Sequence, residues 1–437
     1  MYEEISDNKL LRGLRDYVYK KNPAAGSYLK SILQCGSKII PNENFVHLVA
    51  NKTDARFYQT ITCKNSWCCP VCSAKQMAKY AGEIACAIDA IDAWEHQSAF
   101  MMTLTIPHTS GMSCVEVTEI LYKSWKDFVV GGNKLNKTRL TRGWADTDPF
   151  RNFCQEFNCH HRVRVGEYTH GKSGWHPHFH CLFWVDEHKL QKVADWEKIL
   201  CDRWTEIVKR NTLKFWDSKE DSNAKNNFIR LQVMYRNLNE ESKPLFISKT
   251  DEGKIIKQRS SQYICGWGAD KELTGNFRKK ATYEGHETPH QILERAFENN
   301  DSEAYELYLE YAYATRIKRH ARINFSVHSG IKKIIASWKK THDYIETFKK
   351  NITALQESRG KWRVVRSFSK EQWCAISTID YEHNIKEQLL LAALQEDYDL
   401  IIDDILDKFK IPHLLEYPTM KEIRKVEDTL NGDLIVL

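Results

Sequence analysis

The sequence predicts an α+β protein in which an antiparallel β-core follows a helical N-terminal region with a cysteine module and precedes a mainly helical C-terminal region. Three features carry that expectation. Two apolar, alternating runs, 160–169 and 178–185, are joined by a short Gly/Ser turn at 171–174, which makes them antiparallel neighbours. Cys63, Cys68, Cys69 and Cys72 crowd into ten residues. Apolar residues recur at helical spacing over long stretches on both sides of this core. The chain accordingly divides into a helical and cysteine-bearing part (1–94), a β-core (95–287) and a helical remainder (288–437).

Taken in order, residues 9–34 place Leu10, Leu11, Leu14, Val18, Leu29 and Ile32 on one helical face broken around Pro23. An irregular segment leads to the cysteines, and a helix over about 74–94 leads away from them. Residues 100–106 read as a half-buried strand ended by Pro107, and 115–130 as an amphipathic helix packed on it. After a turn-rich basic piece come the two paired strands. Pro177 marks the start of the second, which puts His176 in the entering turn. A helix over 187–210 follows, then a polar loop at 217–227, a strand at 229–235 and a charged piece, 236–257, expected to be an exposed insertion. Residues 260–268 read as a short helix. Helical stripes at 288–317, 331–350 and 384–409 fill the rest, interrupted by a strand-like stretch at 362–368.

Composition narrows the function classes without choosing one. A net charge of +6 with 28% charged residues permits a nucleic-acid partner and does not demand one. Thirteen tryptophans supply rings that can stack on unpaired bases, although most belong in a core. No apolar run approaches the roughly 20 residues of a membrane span, and the first residues lack the basic start and apolar middle of a signal peptide. A cytoplasmic chain without a membrane partner is the expectation. Thirteen cysteines, an odd and clustered set, then read as reduced thiols and a metal site.

Two clusters carry the chemistry. Cys69-Pro70-Val71-Cys72 is a C-x2-C knuckle; with Cys63 or Cys68 nearby and Cys35 upstream it supplies four thiolates for a structural Zn²⁺. Within Trp175-His176-Pro177-His178-Phe179-His180, a strand puts His178 and His180 on one face, and the hairpin brings Glu167 towards His178. The bland alternative is a pair of solvated histidines on an edge strand. Two imidazoles and one carboxylate leave coordination positions open, which suits Mg²⁺ or Mn²⁺ acting as a Lewis acid on phosphate. A tyrosine can then serve as nucleophile, and Tyr263 on the short predicted helix is the candidate. The literal phosphate-loop match at 166–173 is set aside, because Gly174 and Pro177 follow where that loop requires a helix to begin.

The ordered set of the cysteine knuckle, the 100–107 strand, Glu167-Tyr168-Thr169, the histidine stretch and Tyr263-Ile264-Cys265-Gly266-Trp267-Gly268 resembles the plasmid rolling-circle replication initiators of the HUH endonuclease superfamily. Thr288-Pro289-His290, Tyr308-Leu309-Glu310-Tyr311 and Arg322-Ile323-Asn324-Phe325-Ser326 are similar to its downstream blocks, so the resemblance spans about 35–333. It implies a central antiparallel sheet flanked by helices, a divalent ion on His178 and His180 with Glu167 as the upstream acid, and Tyr263 as the residue that nicks one strand of the plasmid's double-strand origin. The products are a 5′-phosphotyrosine and a 3′-OH that primes synthesis by a host polymerase, with a host helicase; a homodimer is compatible. Two departures stand out. Gly266 occupies the place of the family's usual lysine, so that either Lys271 takes over its role in positioning phosphate or metal or activity is reduced, and the doubled Cys68-Cys69 adds one residue to the cysteine segment. Arg259 stands where some relatives carry a terminating glutamate. Competing expectations are a single-strand transposase or relaxase, a zinc-dependent DNA-binding regulator without nuclease activity, and a zinc hydrolase using the H-x-H pair.

Overall fold

A computed structural model of the chain describes residues 3–130, 148–212, 229–236, 244–249, 255–259, 285–317, 323–325, 330–341, 360–412 and 417–432. Ten strands occur among them: β1 (Phe45–Ala50), β2 (Ala55–Tyr58), β3 (Gln97–Thr105), β4 (Arg162–Gly171), β5 (Gly174–Asp186), β6 (Ile229–Arg236), β7 (Pro244–Lys249), β8 (Ile255–Arg259), β9 (Ile323–Phe325) and β10 (Arg363–Ser369). The chain forms two compact units, each discontinuous in sequence. One is built from Met1–Lys79, Ile292–Ala312 and His342–Leu437, the other from Tyr80–Gln291 and Tyr313–Thr341. The protein is thus mixed α+β with antiparallel sheets.

In the first unit the antiparallel sheet runs β10-β1-β2. Val46, Leu48 and Ala50 of β1 pack with Phe368, Trp373, Leu389 and Leu390, from or beside the helices Lys370–His383 and Ile385–Ala392. Val49 joins a separate cluster with Trp362, Val426 and Leu430. Apolar residues at both parities therefore bury, and every residue of β1 is buried. The one polar side chain in that strand, His47, shares a 2.8 Å hydrogen bond with Ser367. Burial lowers the His47 imidazole to about 4, with opposing support from Gln59. The expected irregular segment before the cysteines thus contains two strands, and the main partner of β1 lies more than three hundred residues downstream, beyond any local pattern. Ahead of them, the predicted break at Pro23 separates helices Glu3–Lys21 and Ala25–Leu33.

The second unit is organised on a seven-stranded sheet in the order β8-β7-β6-β3-β5-β4-β9, antiparallel throughout. The charged 236–257 piece is not simply an insertion: β7 and β8 extend the sheet beyond β6. Both are short and framed by charged residues, which masked them in the sequence. Helices Cys114–Val130 and Glu197–Thr212 cover the face to which Phe179 points, its ring 4.9 Å from Tyr122 and 5.9 Å from Trp125. The turn-rich piece ahead of β4 includes a further helix, Pro149–Glu156, which starts on an Asp148 cap with proline at its first turn. The predicted helix at 187–210 begins as a 3-10 stretch, Glu187–Trp196, and becomes α-helical only at Glu197.

Other helical expectations change at their boundaries. The 288–317 stripe divides into Pro289–Glu298 and Ser302–Ile317, with Asn300 left-handed between them at φ 51°. Of the 331–350 stretch, Ile331–Thr341 is helix, and the remainder lies outside the described residues. Among the described residues no helix is long and apolar enough to cross a membrane.

Candidate metal centres

Four cysteine sulfurs meet in the first unit. The Sγ atoms of Cys35, Cys63, Cys69 and Cys72 all lie within 4.8 Å of one another, with Cys35 and Cys72 at 3.4 Å. A tetrahedron of ~2.3 Å metal–sulfur bonds has edges of ~3.8 Å, so the group could hold a metal ion. Of the two cysteines left open by spacing, Cys63 joins the group; Cys68 is buried without being part of it. Local structure explains the arrangement. The Asn65 side chain accepts from the amides of Trp67 and Cys68 at 2.9 and 2.7 Å, tightening the turn between Cys63 and the helix Pro70–Glu95. The Arg15 guanidinium donates to the carbonyl of Cys35 at 2.8 Å, fixing the loop after the second helix. Tyr311 donates to the Trp67 carbonyl at 3.2 Å, and Tyr308 to that of Cys68. Hydrogen bonds from Cys63, Cys69 and Cys72 push the Cys35 thiol far down, whereas its hydrogen bond to Cys35 pushes Cys63 up.

The second group lies on the sheet of the other unit. Register pairs Glu167 with His178 across β4 and β5, and Thr103 with His180 across β3 and β5. Glu167 Oε2 lies 3.0 Å from His178 Nε2 and 2.8 Å from His180 Nε2, and the two ring nitrogens are 3.2 Å apart. Phe179 points to the helices, so the alternation of β5 sends the two histidines to the opposite face. Burial alone would raise the Glu167 carboxyl; the charge of His178 and hydrogen bonds from both histidines override it and hold the carboxyl well below its usual range. Thr103 Oγ1 sits 3.0 Å from His180 Nδ1 and orients that ring. The His178 Nδ1 atom is buried without a hydrogen-bond partner among the described residues. These three donors could likewise hold a metal ion.

Reasoning from sequence missed several neighbours of this group. His176 is not in an entering turn but in β5, opposite Thr169. Pro177 is tolerated there because β3 pairs with β5 only from His178 onward, leaving proline a neighbouring strand on one side alone. His176 Nδ1 lies 3.4 Å from His108 Nδ1, just past the end of β3. Burial, then the charges of His178 and His108, push the His176 imidazole down to about 3. The shared parity of 176, 178 and 180 was the available signal; nothing local linked His108 to them. Gly174 opens β5 at φ +88°, and a Cβ there would come within 2.9 Å of the Thr109 carbonyl oxygen, so glycine lets the hairpin pass the His108 loop. The phosphate-loop match falls on β4 and its turn, where no helix starts. Tyr263, Gly266 and Lys271 lie outside the described residues.

The chain is similar over 136 residues, at 28% identity, to a neomycin resistance protein of Streptomyces cyanogenus; the match covers 29% of this chain and 30% of that protein. The chain therefore spans under a third of the length of that curated relative. No family model matches the chain. No solved structure matches it.

Proposed function

We propose that the chain is a DNA nicking and joining enzyme of the rolling-circle replication-initiator class, acting at a plasmid double-strand origin through Tyr263. The observation that carries this reading is the convergence of Glu167, His178 and His180 on the sheet face opposite the helices. That donor set fits a divalent ion: one carboxylate kept ionised, two imidazole nitrogens, and positions left for substrate. Mg²⁺ or Mn²⁺ held there would supply Lewis-acid polarisation of a phosphate's non-bridging oxygens. The Tyr263 phenol, losing its proton, forms the new bond to phosphorus as the bond from phosphorus to the 3′ oxygen breaks. That oxygen takes up a proton and becomes the 3′-OH, and the energy of the phosphodiester is kept in the 5′-phosphotyrosine. Lys271 is assigned to positioning the phosphate. The four cysteines take Zn²⁺ as a closed structural site. Origin DNA is the substrate, a host helicase and DNA polymerase continue from the 3′-OH, and the reaction belongs in the cytoplasm.

The test is direct. The full chain is incubated with Mn²⁺ and single-stranded oligonucleotides from its own replicon's origin, and products are separated under denaturing conditions. Wild type should give a covalent protein–DNA species, and neither Tyr263→Phe nor His178→Ala should. A zinc-dependent regulator would bind the same DNA without forming the species. Adducts of undiminished yield in Tyr263→Phe would remove Tyr263 from its assigned role.

A further inference from the structure

A cavity of about 330 Å³ lies beside the four-cysteine group, within the size range of small-molecule sites and wholly inside the first unit. Basic side chains from separate elements converge on it: Arg15 from helix Glu3–Lys21, Arg56 from β2, Lys75 from helix Pro70–Glu95 and Lys386 from helix Ile385–Ala392. Among the described residues no aspartate or glutamate lines it. Phe57 and Leu430 add apolar wall.

Lys386 sets the requirement. It is 5% exposed, and taking an ammonium out of water is costly unless its charge and its donors are met. An ammonium has three donors. Among the described residues, Lys386 Nζ donates to one oxygen, the Gly36 carbonyl at 3.2 Å, and it stands 4.6 Å over the Trp373 ring. The neighbouring carboxylate is engaged elsewhere: Asp380 Oδ1 accepts from the backbone amide of Lys386 at 2.9 Å, and Oδ2 lies 3.6 Å from Arg15 Nη1. Arg15 directs its other nitrogens to the carbonyls of Leu33 and Cys35, at 2.5 and 2.8 Å. Both cations thus reach loop carbonyls rather than the sulfurs, so serving the thiolates does not account for the buried ammonium.

We propose that this cavity binds a small phosphate monoester, with Lys386 as its buried anchor and Arg56 and Lys75 on its walls. A phosphate monoester brings a charge of about −2 and three acceptor oxygens, which answers cations converging from different directions. A carboxylate offers less charge and two oxygens. The organic part of the ester meets the apolar wall. The Arg56 guanidinium is held 4.3 Å over the Trp362 ring, which fixes where its charge sits. The Glu167 group lies in the other unit, and the site stands whether or not the chain nicks DNA.

The experiment titrates phenyl phosphate, inorganic phosphate, benzoate and phenol calorimetrically into the full chain as purified. Phenyl phosphate should bind, inorganic phosphate should compete with it, and phenol should not bind. Lys386→Met should weaken phenyl phosphate binding by about 10–100-fold, the worth of a hydrogen bond to a charged group, and Arg56→Gln and Lys75→Gln by about tenfold each. Circular dichroism and zinc content check each variant. No binding of either phosphate probe by wild type overturns the proposal, and so does unchanged affinity in a folded Lys386→Met of wild-type zinc content. Where that variant loses its fold or its zinc, Arg56→Gln and Lys75→Gln decide, and unchanged affinity in both overturns the site. Phenol binding as tightly as phenyl phosphate would remove the cations from recognition, and tighter binding of benzoate would overturn the choice of phosphate. A single-stranded oligonucleotide that binds where neither phosphate probe does would make the cavity part of a DNA surface instead.

Discussion

Replacing Thr103 by valine removes one hydroxyl from β3 and leaves the side chain's shape nearly unchanged. That hydroxyl lies 3.0 Å from His180 Nδ1, while the opposite ring nitrogen points at Glu167 Oε2 from 2.8 Å. With Nδ1–H donating to the hydroxyl, the lone pair of His180 stays on Nε2, where a cation would meet it. Loss of a neutral hydrogen bond removes about 0.5–1.5 kcal/mol, and leaving a buried ring nitrogen unsatisfied raises the loss to about 1–3 kcal/mol. His180 is only 7% exposed, so water offers little relief. Outer partners of ligating histidines typically contribute about 10–100-fold to metal affinity. Thr103→Val should therefore weaken Mn²⁺ binding by about that factor, or about 1.4–2.8 kcal/mol. Calorimetric titration of Mn²⁺ into the full chain measures it, and Thr103→Ser, which keeps the hydroxyl, should restore the affinity. An unchanged affinity in Thr103→Val would refute the orienting role, and a Thr103→Ser variant as weak as Thr103→Val would show that packing matters more than the hydrogen bond.

Further outcomes follow from the same geometry. Against the upward push of burial, the two histidines hold the Glu167 carboxyl below its unfolded value of about 4.3, so its contribution to stability is complete above that pH and disappears as pH falls through the lower folded value. In metal-free protein, denaturant midpoints should fall on acidification below about pH 4.3, and Glu167→Gln should flatten that fall; parallel profiles for the two proteins would exclude Glu167 as its source. Cys69→Ser should release the ion of the four-cysteine group and lower the thermal midpoint, whereas Cys68→Ser should keep the ion, as measured by zinc content after dialysis. Zinc lost equally from both would show that the doubled cysteine shares the ligand role.

The histidine hairpin was legible because everything that defines it is local. A period of two fixes which side chains share a face, and a short Gly/Ser turn fixes which strands pair, so Glu167 opposite His178 follows from the sequence. The thiol group was nearly as plain, apart from the choice between Cys63 and Cys68. That choice depends on the Asn65 turn and on which sulfurs reach Cys35, neither of which spacing encodes. β1 and β7 were hidden for opposite reasons. Buried on both faces, β1 has no alternation to read, and its main partner β10 is remote. β7 is six residues long and framed by charges that resemble a surface loop. His108 escaped notice because its relation to His176 exists only once β3 and β5 are in register.

The two ligand groups favour different ions, and that difference makes them separable in one molecule. Four sulfurs that could hold a metal ion make a closed, soft donor set, which suits Zn²⁺ and not Mg²⁺; a carboxylate with two imidazoles is harder and open. They also occupy different compact units, Cys35, Cys63, Cys69 and Cys72 in one and Glu167, His178 and His180 in the other. Loss of the thiolate ion should act mainly through the stability of the unit it fastens, because its ligands come from two segments that lie far apart in sequence. Loss of the ion at the carboxylate group should leave that unit folded, because Glu167, His178 and Thr103 are already aligned by strand register and backbone hydrogen bonds. A weak chelator that strips only the open group should therefore abolish the proposed nicking without unfolding the chain, while a strong thiophilic reagent should unfold one unit first.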